Sequence, residues 1–204
     1  MFYRPEAGHG LPHNPFNALV APRPIGWVAT RGAMGDNLAP YSFFMAVAYD
    51  PPQVVFASTS AKADRVGGKD SLSQAREAGV FAVSLPRLSH LAAMNATSAS
   101  APAGVDEFAL AGVAKAECDT IDCPRVADAL ATLECQLVQV VTLPGEANSL
   151  VIGQVTGIHI ADDCLHDGLV VTPEGGWLAR MGYRDYAAIT QTFTLKRPGD
   201  QRGD

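Results

Sequence analysis

The sequence lacks any apolar run near the roughly 20 residues that a membrane-crossing helix needs, so no membrane span is expected. Its first ten residues, Met1 to Gly10, are polar and aromatic and carry no apolar h-region. No secretory signal is therefore expected, and a cytoplasmic location is. Cysteine is scarce, with four in 204 residues: Cys118, Cys123, Cys135 and Cys164. Only Cys118 and Cys123 lie close together, and no second pair matches them. Reduced thiols are the expectation, not a structural zinc site. His9 and His13 stand four apart but are separated by Pro12, which argues against a helical pair of metal ligands; no metal site is expected.

Basic residues are outnumbered. Lys and Arg total 15 against 21 Asp and Glu, for a formal net charge of −6. Such a surface does not attract nucleic acid or anionic membrane, and an anionic ligand would need a local cluster of donors. The common phosphate motifs are missing. No G-x-G-x-x-G occurs, which argues against a Rossmann dinucleotide site. Gly67-Gly68-Lys69-Asp70-Ser71 hints at a P-loop, but Ala63 stands where the first Gly is required and Asp70 follows the Lys. There is no G-x-S-x-G, and the five histidines have no obvious Ser or Cys partner, so no catalytic residue is assigned. The terminal Arg202-Gly203-Asp204 reads as a chance tail.

What is present is globular. Hydrophobic residues make up 48% of the chain and charged residues 18%, a balance that can bury a core. The length suits one domain spanning residues 1–204. With 19 Gly and 14 Pro, many turns between short strands are expected. Period-two alternation predicts strands at Ile25 to Thr30, Gln53 to Ser58, Phe81 to Leu85 and Leu133 to Leu137, the last with one wet face carrying Glu134 and Gln136. Leu150 to Ala161 predicts a longer strand, in which Gly153 and Gly157 mark bulges or corners. Helices are fewer. Ser71 to Ala78 opens on a capping box of Ser71 with Gln74 and stops at Gly79; Leu88 to Met94 and Asp106 to Ala111 are shorter. Many strands and few helices predict a mainly β fold, a closed or nearly closed antiparallel barrel.

Two segments carry chemistry. Ser58, Thr59 and Ser60 supply hydroxyls at a strand end; Lys62, Arg65 and Lys69 supply charge; and a helix opens at Ser71, where free N–H groups favour an anion. An ordinary basic loop beside a helix cap has the same composition. The block Asn37 to Phe44 mixes Pro40 with hydroxyls and aromatics. It reads as an edge or a bend that could line a planar ring, or as a core segment at a barrel corner.

Taken in order, Ala21 to Thr30, Asn37 to Phe44, Asp50-Pro51-Pro52, Val54 to Ser58, Lys69-Asp70-Ser71, Met94 to Thr97, Gly153-Gln154-Val155 and Arg180-Met181-Gly182 resemble the flavin-reductase-like, FMN-binding split-barrel family. The resemblance runs from Phe2 to Arg197. It implies a Greek-key split barrel, a homodimer, and FMN bound near the subunit interface. It implies ring contacts at the strand ending in Thr30 and near Asn37, Tyr41, Ser42 and Phe43. Phosphate contacts are implied at Ser58, Thr59, Ser60, Lys69, Asp70 and Ser71. The implied activity is hydride transfer from NAD(P)H to flavin, with an FMN-binding electron carrier as the alternative. The chain departs from the family pattern in a long residue 60–68 segment, in Gln74, and in Asn148, where many reductase components carry His. Tyr183 also replaces a common second Gly after Gly182.

Overall fold

The computed structural model describes residues 1–59, 69–102, 104–196 and 198. The strands are β1 (Arg23–Pro24), β2 (Gly26–Gly32), β3 (Gly35–Tyr41), β4 (Phe44–Tyr49), β5 (Pro52–Ser58), β6 (Val80–Leu85), β7 (Lys115–Glu117) and β8 (Pro124–Val126). They continue with β9 (Ala131–Thr142), β10 (Ser149–Ile160), β11 (Leu165–His166), β12 (Leu169–Val170), β13 (Trp177–Arg180) and β14 (Tyr186–Ile189). Four α-helices accompany them: α1 (Phe16–Leu19), α2 (Asp70–Ala78), α3 (Leu91–Ala96) and α4 (Glu107–Ala111).

Seven antiparallel strands form the main sheet in the order β3-β2-β6-β9-β10-β5-β4. Its two edges, β3 and β4, are consecutive in sequence and joined by Ser42 and Phe43 alone. The sheet must therefore curl until its edges nearly meet, and the Ala57 N–H donates to the Phe43 carbonyl at 2.8 Å, carrying the β4–β5 ladder into the link. The fold is a mainly β antiparallel split barrel. Pro40 sits on edge strand β3, where its missing donor costs no ladder bond in a central strand.

Alternation along β2 sorts side chains between two cores. Val28 joins Phe44, Phe56, Phe81 and Val151 in one, whereas Trp27 and Ala29 join Met94, Phe108 and Leu178 in the other. The Trp27 indole N–H donates to the Thr97 hydroxyl at 2.9 Å, tying the barrel to the segment after α3. Both glycines of β10 mark irregular pairing with β9, at Ile152/Gly153 and Val155/Gly157, as their place in a β-branched strand implied. A Cβ on Gly153 would lie 2.4 Å from the Phe81 ring. Since Phe81 is fully buried, Gly153→Ala is expected to lower stability by about 1–3 kcal/mol. Calorimetry should show a melting temperature several degrees lower; an unchanged value would mean that the core yields freely.

Three expectations need correction. The predicted capping box does not form: the residue before α2 is Lys69, no side chain caps the helix, and Ser71 lies inside the first turn. Tertiary partners have taken both side chains, Asn37 bonding Ser71 and Thr30 bonding Gln74. Glu134 is not on a wet face either. It is fully buried, because the N–H groups of Asp119 and Thr120, at 2.8 and 2.6 Å, turn inward onto its carboxylate. Leu88 to Met94 is divided, with a 3-10 turn at Leu88–His90 leading into α3. The helix at Asp106 is as expected, with the Asp106 side chain accepting from the Phe108 and Ala109 N–H groups before Gly112 ends it in the left-handed region.

Candidate functional site

Where β3 nears the barrel joint, a cavity of about 260 Å³ opens between that strand, the start of α2, and residues 97–100. Five sequence-predicted residues line it: Asn37, Tyr41, Lys69, Asp70 and Ser71. Lys69 precedes the helix in extended conformation, and its ammonium lies 5.8 Å from the centre of the Tyr41 ring. The start of a nine-residue helix, the positive end of its dipole, therefore borders the cavity beside a cationic side chain. Asn37 donates its side-chain N–H to the Ser71 hydroxyl at 2.9 Å, which fixes that hydroxyl at the cavity wall.

The hydroxyls of Tyr41 and Ser58 are the most informative atoms. Both are buried, they lie beside each other and beside Ser71, and neither makes a hydrogen bond of good geometry among the described residues. Buried hydroxyls are rarely left so. Burial pushes the Tyr41 phenol above its ordinary range, so it stays a neutral donor. Two carboxylates share the cavity. Asp70 opens α2, where it complements the helix dipole, and Glu107 accepts from the Leu38 N–H at 3.1 Å.

A second hollow of about 240 Å³ adjoins the first across Pro40 and Ser98. Ser42 lines it with Met94, Asn95, Arg180 and Tyr186. The remaining predicted residues lie around these hollows. Phe43 is half-buried, with the Arg23 guanidinium 5.7 Å from its ring centre. Thr59 is half-buried at the end of the hydroxyl run. Thr30 lines neither hollow: it is fully buried and donates to Gln74 at 2.6 Å, while Gln74 in turn donates to the Gly35 carbonyl at 3.0 Å. Ser60, Lys62 and Arg65 fall outside the described residues. Glu107 and residues 97–100 were not picked out as site residues from the sequence. An acid after a helix-capping Asp looks ordinary, and the small-residue loop carries no chemical motif.

Asn148 stands in the β9–β10 turn and donates to the Pro144 carbonyl at 3.0 Å. Asp119, Glu134 and His159 bring ligand-type atoms within 4.8 Å of one another, but four donors already fill the Glu134 carboxylate.

The fold is a split barrel with a polar cavity beside its joint. The chain belongs to the flavin-reductase-like family: residues 19–175 match the Flavin reductase like domain. A protein of Deinococcus radiodurans is 38% identical over 191 residues, covering 88% of this chain and 82% of that one. The nitrilotriacetate monooxygenase component B of Bacillus cereus is 29% identical with a TM-score of 0.81, covering 92% of this chain and all of the other. The 2-nitrobenzoate 2-nitroreductase of Pseudomonas fluorescens is 25% identical with a TM-score of 0.77, covering 92% and 91% of the two chains. No helix among the described residues is long and apolar enough to cross a membrane.

Proposed function

We propose that the chain is a one-domain FMN-binding oxidoreductase, a flavin reductase or close relative that draws electrons from NAD(P)H. One observation carries this reading: Asn37, Tyr41, Lys69 and Ser71 converge on one cavity beside two buried hydroxyls that lack good partners. A phosphate would accept from the Tyr41, Ser58 and Ser71 hydroxyls and from the Lys69 ammonium, relieving a cost of about 1–3 kcal/mol for each unsatisfied group. The residues present therefore fit an FMN phosphate at Lys69 to Ser71, with the ring toward Pro40 and Ser42. Bound FMN supplies the hydride and electron chemistry. The chain's part is to bind, orient and shield. Lys69 supplies the compensating charge, neutral Tyr41 donates from a buried position, and Asn37 holds Ser71 in place. The nitroreductase and monooxygenase-component names of two relatives support redox chemistry of this kind.

The test is a calorimetric titration of purified protein with FMN and FAD, followed by NADH and NADPH oxidation with and without added FMN. FMN is expected to bind more tightly than FAD, because the cavity at Lys69 to Ser71 gathers donors for one phosphate. Equal or tighter FAD binding would remove the argument. One observation favours the alternative, an FMN electron carrier without NAD(P)H turnover: Asn148, where many reductase components have His, spends its side chain closing a turn. Tight FMN binding with no NAD(P)H oxidation would decide for it.

The second part of the proposal is a homodimer in the cytoplasm. Edge strand β4 exposes Met45, Val47 and Tyr49, and the outer face of β9 and β10 exposes Val138 and Ile158. Exposed apolar surface of this kind is seldom left bare. Light scattering at micromolar concentration is expected to give twice the 21.4 kDa chain mass; a monomer that still binds FMN would refute the dimer.

A further inference from the structure

A third hollow, of about 690 Å³, continues the row beyond the Ser42 hollow and shares Asn95, Arg180 and Tyr186 with it. Its charge is unusual for an acidic chain. Arg23 and Arg180 stand directly opposite each other in the β1–β13 ladder, a pairing that repels. Among the described residues, no carboxylate forms an ion pair with Arg23, Arg180 or the nearby Arg184. Arg23 is 8% exposed, is held by the carbonyls of Asn17, Val20 and Met181, and keeps a buried Nε without an acceptor. Burial and the neighbouring Arg180 charge both push its pKa down. It acts as a fixed positive charge beside Arg180.

Arg180 faces the hollow with more freedom. Its guanidinium stacks over Tyr186, 4.6 Å from the ring centre, and donates to the Tyr183 carbonyl, which occupies only one of its five donors. Tyr186 in turn donates to Asn95 at 3.4 Å. Arg184 lines the same hollow from an exposed position, and Leu88 and Leu91 form an apolar wall. A planar guanidinium braced on an aromatic ring suits two-pronged binding of a carboxylate or phosphate. The apolar wall suits the carbon body of the same molecule.

The geometry points to an anion subsite at Arg180 and Arg184 that receives the carboxylate or phosphate of the molecule exchanging electrons with the flavin. It lies at the end of the row away from Lys69, so it is a separate site from the proposed cofactor phosphate. This inference rests on the flavin reading for what the subsite serves, though not for its existence.

The experiment titrates FMN-loaded protein with benzoate and, separately, with ADP-ribose, followed by calorimetry and by flavin difference spectra, with benzamide as the neutral control. At least one anion is expected to saturate while benzamide does not. Saturation by benzoate alone identifies a carboxylate partner; saturation by ADP-ribose alone identifies the phosphates of a dinucleotide. Arg184→Gln and Arg180→Lys are each expected to weaken that anion about tenfold or more, the size of one lost charge-assisted bond. FMN affinity and melting temperature should stay unchanged in Arg184→Gln, whose side chain is exposed. Absence of saturation by either anion, or dissociation constants unchanged in both variants, overturns the proposal. Equal weakening of FMN itself also overturns it, since the arginines would then hold the cofactor. If the wild-type protein binds no FMN, the flavin reading fails, and the same calorimetric titration still decides whether the anion subsite exists.

Discussion

Lys69→Ala is expected to lower FMN affinity by about one to two orders of magnitude and to leave riboflavin affinity nearly unchanged. The argument is local. Lys69 lines the cavity, precedes α2 and stands over the Tyr41 ring. A charge-assisted hydrogen bond to phosphate contributes roughly 1.5–3 kcal/mol, which sets the size of the loss. Riboflavin has no phosphate, so it reports on the ring end of the site alone. If Lys69 were only a surface charge, neither ligand would notice. Equal weakening of both would mean general damage to the pocket and would sink the phosphate assignment. Ser71→Ala is a useful companion. Because Ser71 lies inside the helix and does not cap it, its loss should weaken FMN without the cost of a lost helix cap. It does remove the acceptor of the buried Asn37 side chain, so a fall in stability of about 1–3 kcal/mol is expected with it.

Glu134→Ala is expected to be the most destabilising single substitution considered, by about 3–5 kcal/mol, the range for removing one partner from a buried charged network. The carboxylate accepts from the Asp119 and Thr120 N–H groups, the Thr120 hydroxyl and the His159 ring. Truncation strands all of these donors around an empty space. Glu134→Gln keeps the shape and one acceptor, so it should cost markedly less. The same donors hold the Glu134 pKa down at about 2, against an ordinary value of 4.5. A depressed carboxylate contributes stability that is complete above the unfolded value and is lost as pH falls from about 4.5 toward 2. Wild-type protein should therefore lose stability across that window more steeply than Glu134→Gln. Chemical denaturation at pH 3 and pH 7 measures the difference, and parallel slopes for the two proteins would disprove the role.

The barrel was legible because alternation is a local property. Residues Ile25 to Thr30 and Phe81 to Leu85 each alternate between two cores, Gln53 to Ser58 sends Val54 and Phe56 into one of them, and the glycines of β10 fall at its irregular pairings. What misled was competition for polar side chains. Ser71 and Gln74 have the spacing of a helix cap, but Asn37 and Thr30, more than 30 residues away, claim them first. Glu134 looks like a solvent-facing residue of an alternating strand until the Asp119–Thr120 turn supplies donors that no pattern near Glu134 announces. The Lys69 cavity was readable because its hydroxyls and charges cluster in sequence. The far end was not, because Arg23 and Arg180 are 157 residues apart and become neighbours only in the β1–β13 ladder.

The two-residue link between the edge strands has a thermodynamic consequence. Tyr41 ends β3 at one edge of the sheet, and Ser58 ends β5, next to the opposite edge. Their hydroxyls meet across the short link, because Phe44 pairs with Phe56 and the Ala57 N–H bonds the Phe43 carbonyl. The cavity also needs the start of α2 and residues 97–100, so no opening that parts them from β3 can keep it intact, and a ligand seated there opposes global opening as well as local fraying. Ligand at a hundred times its dissociation constant would then protect the entire sheet by about 2.7 kcal/mol. Hydrogen exchange should record this as slower exchange in strands far from the cavity, including the centre of β6 and β9.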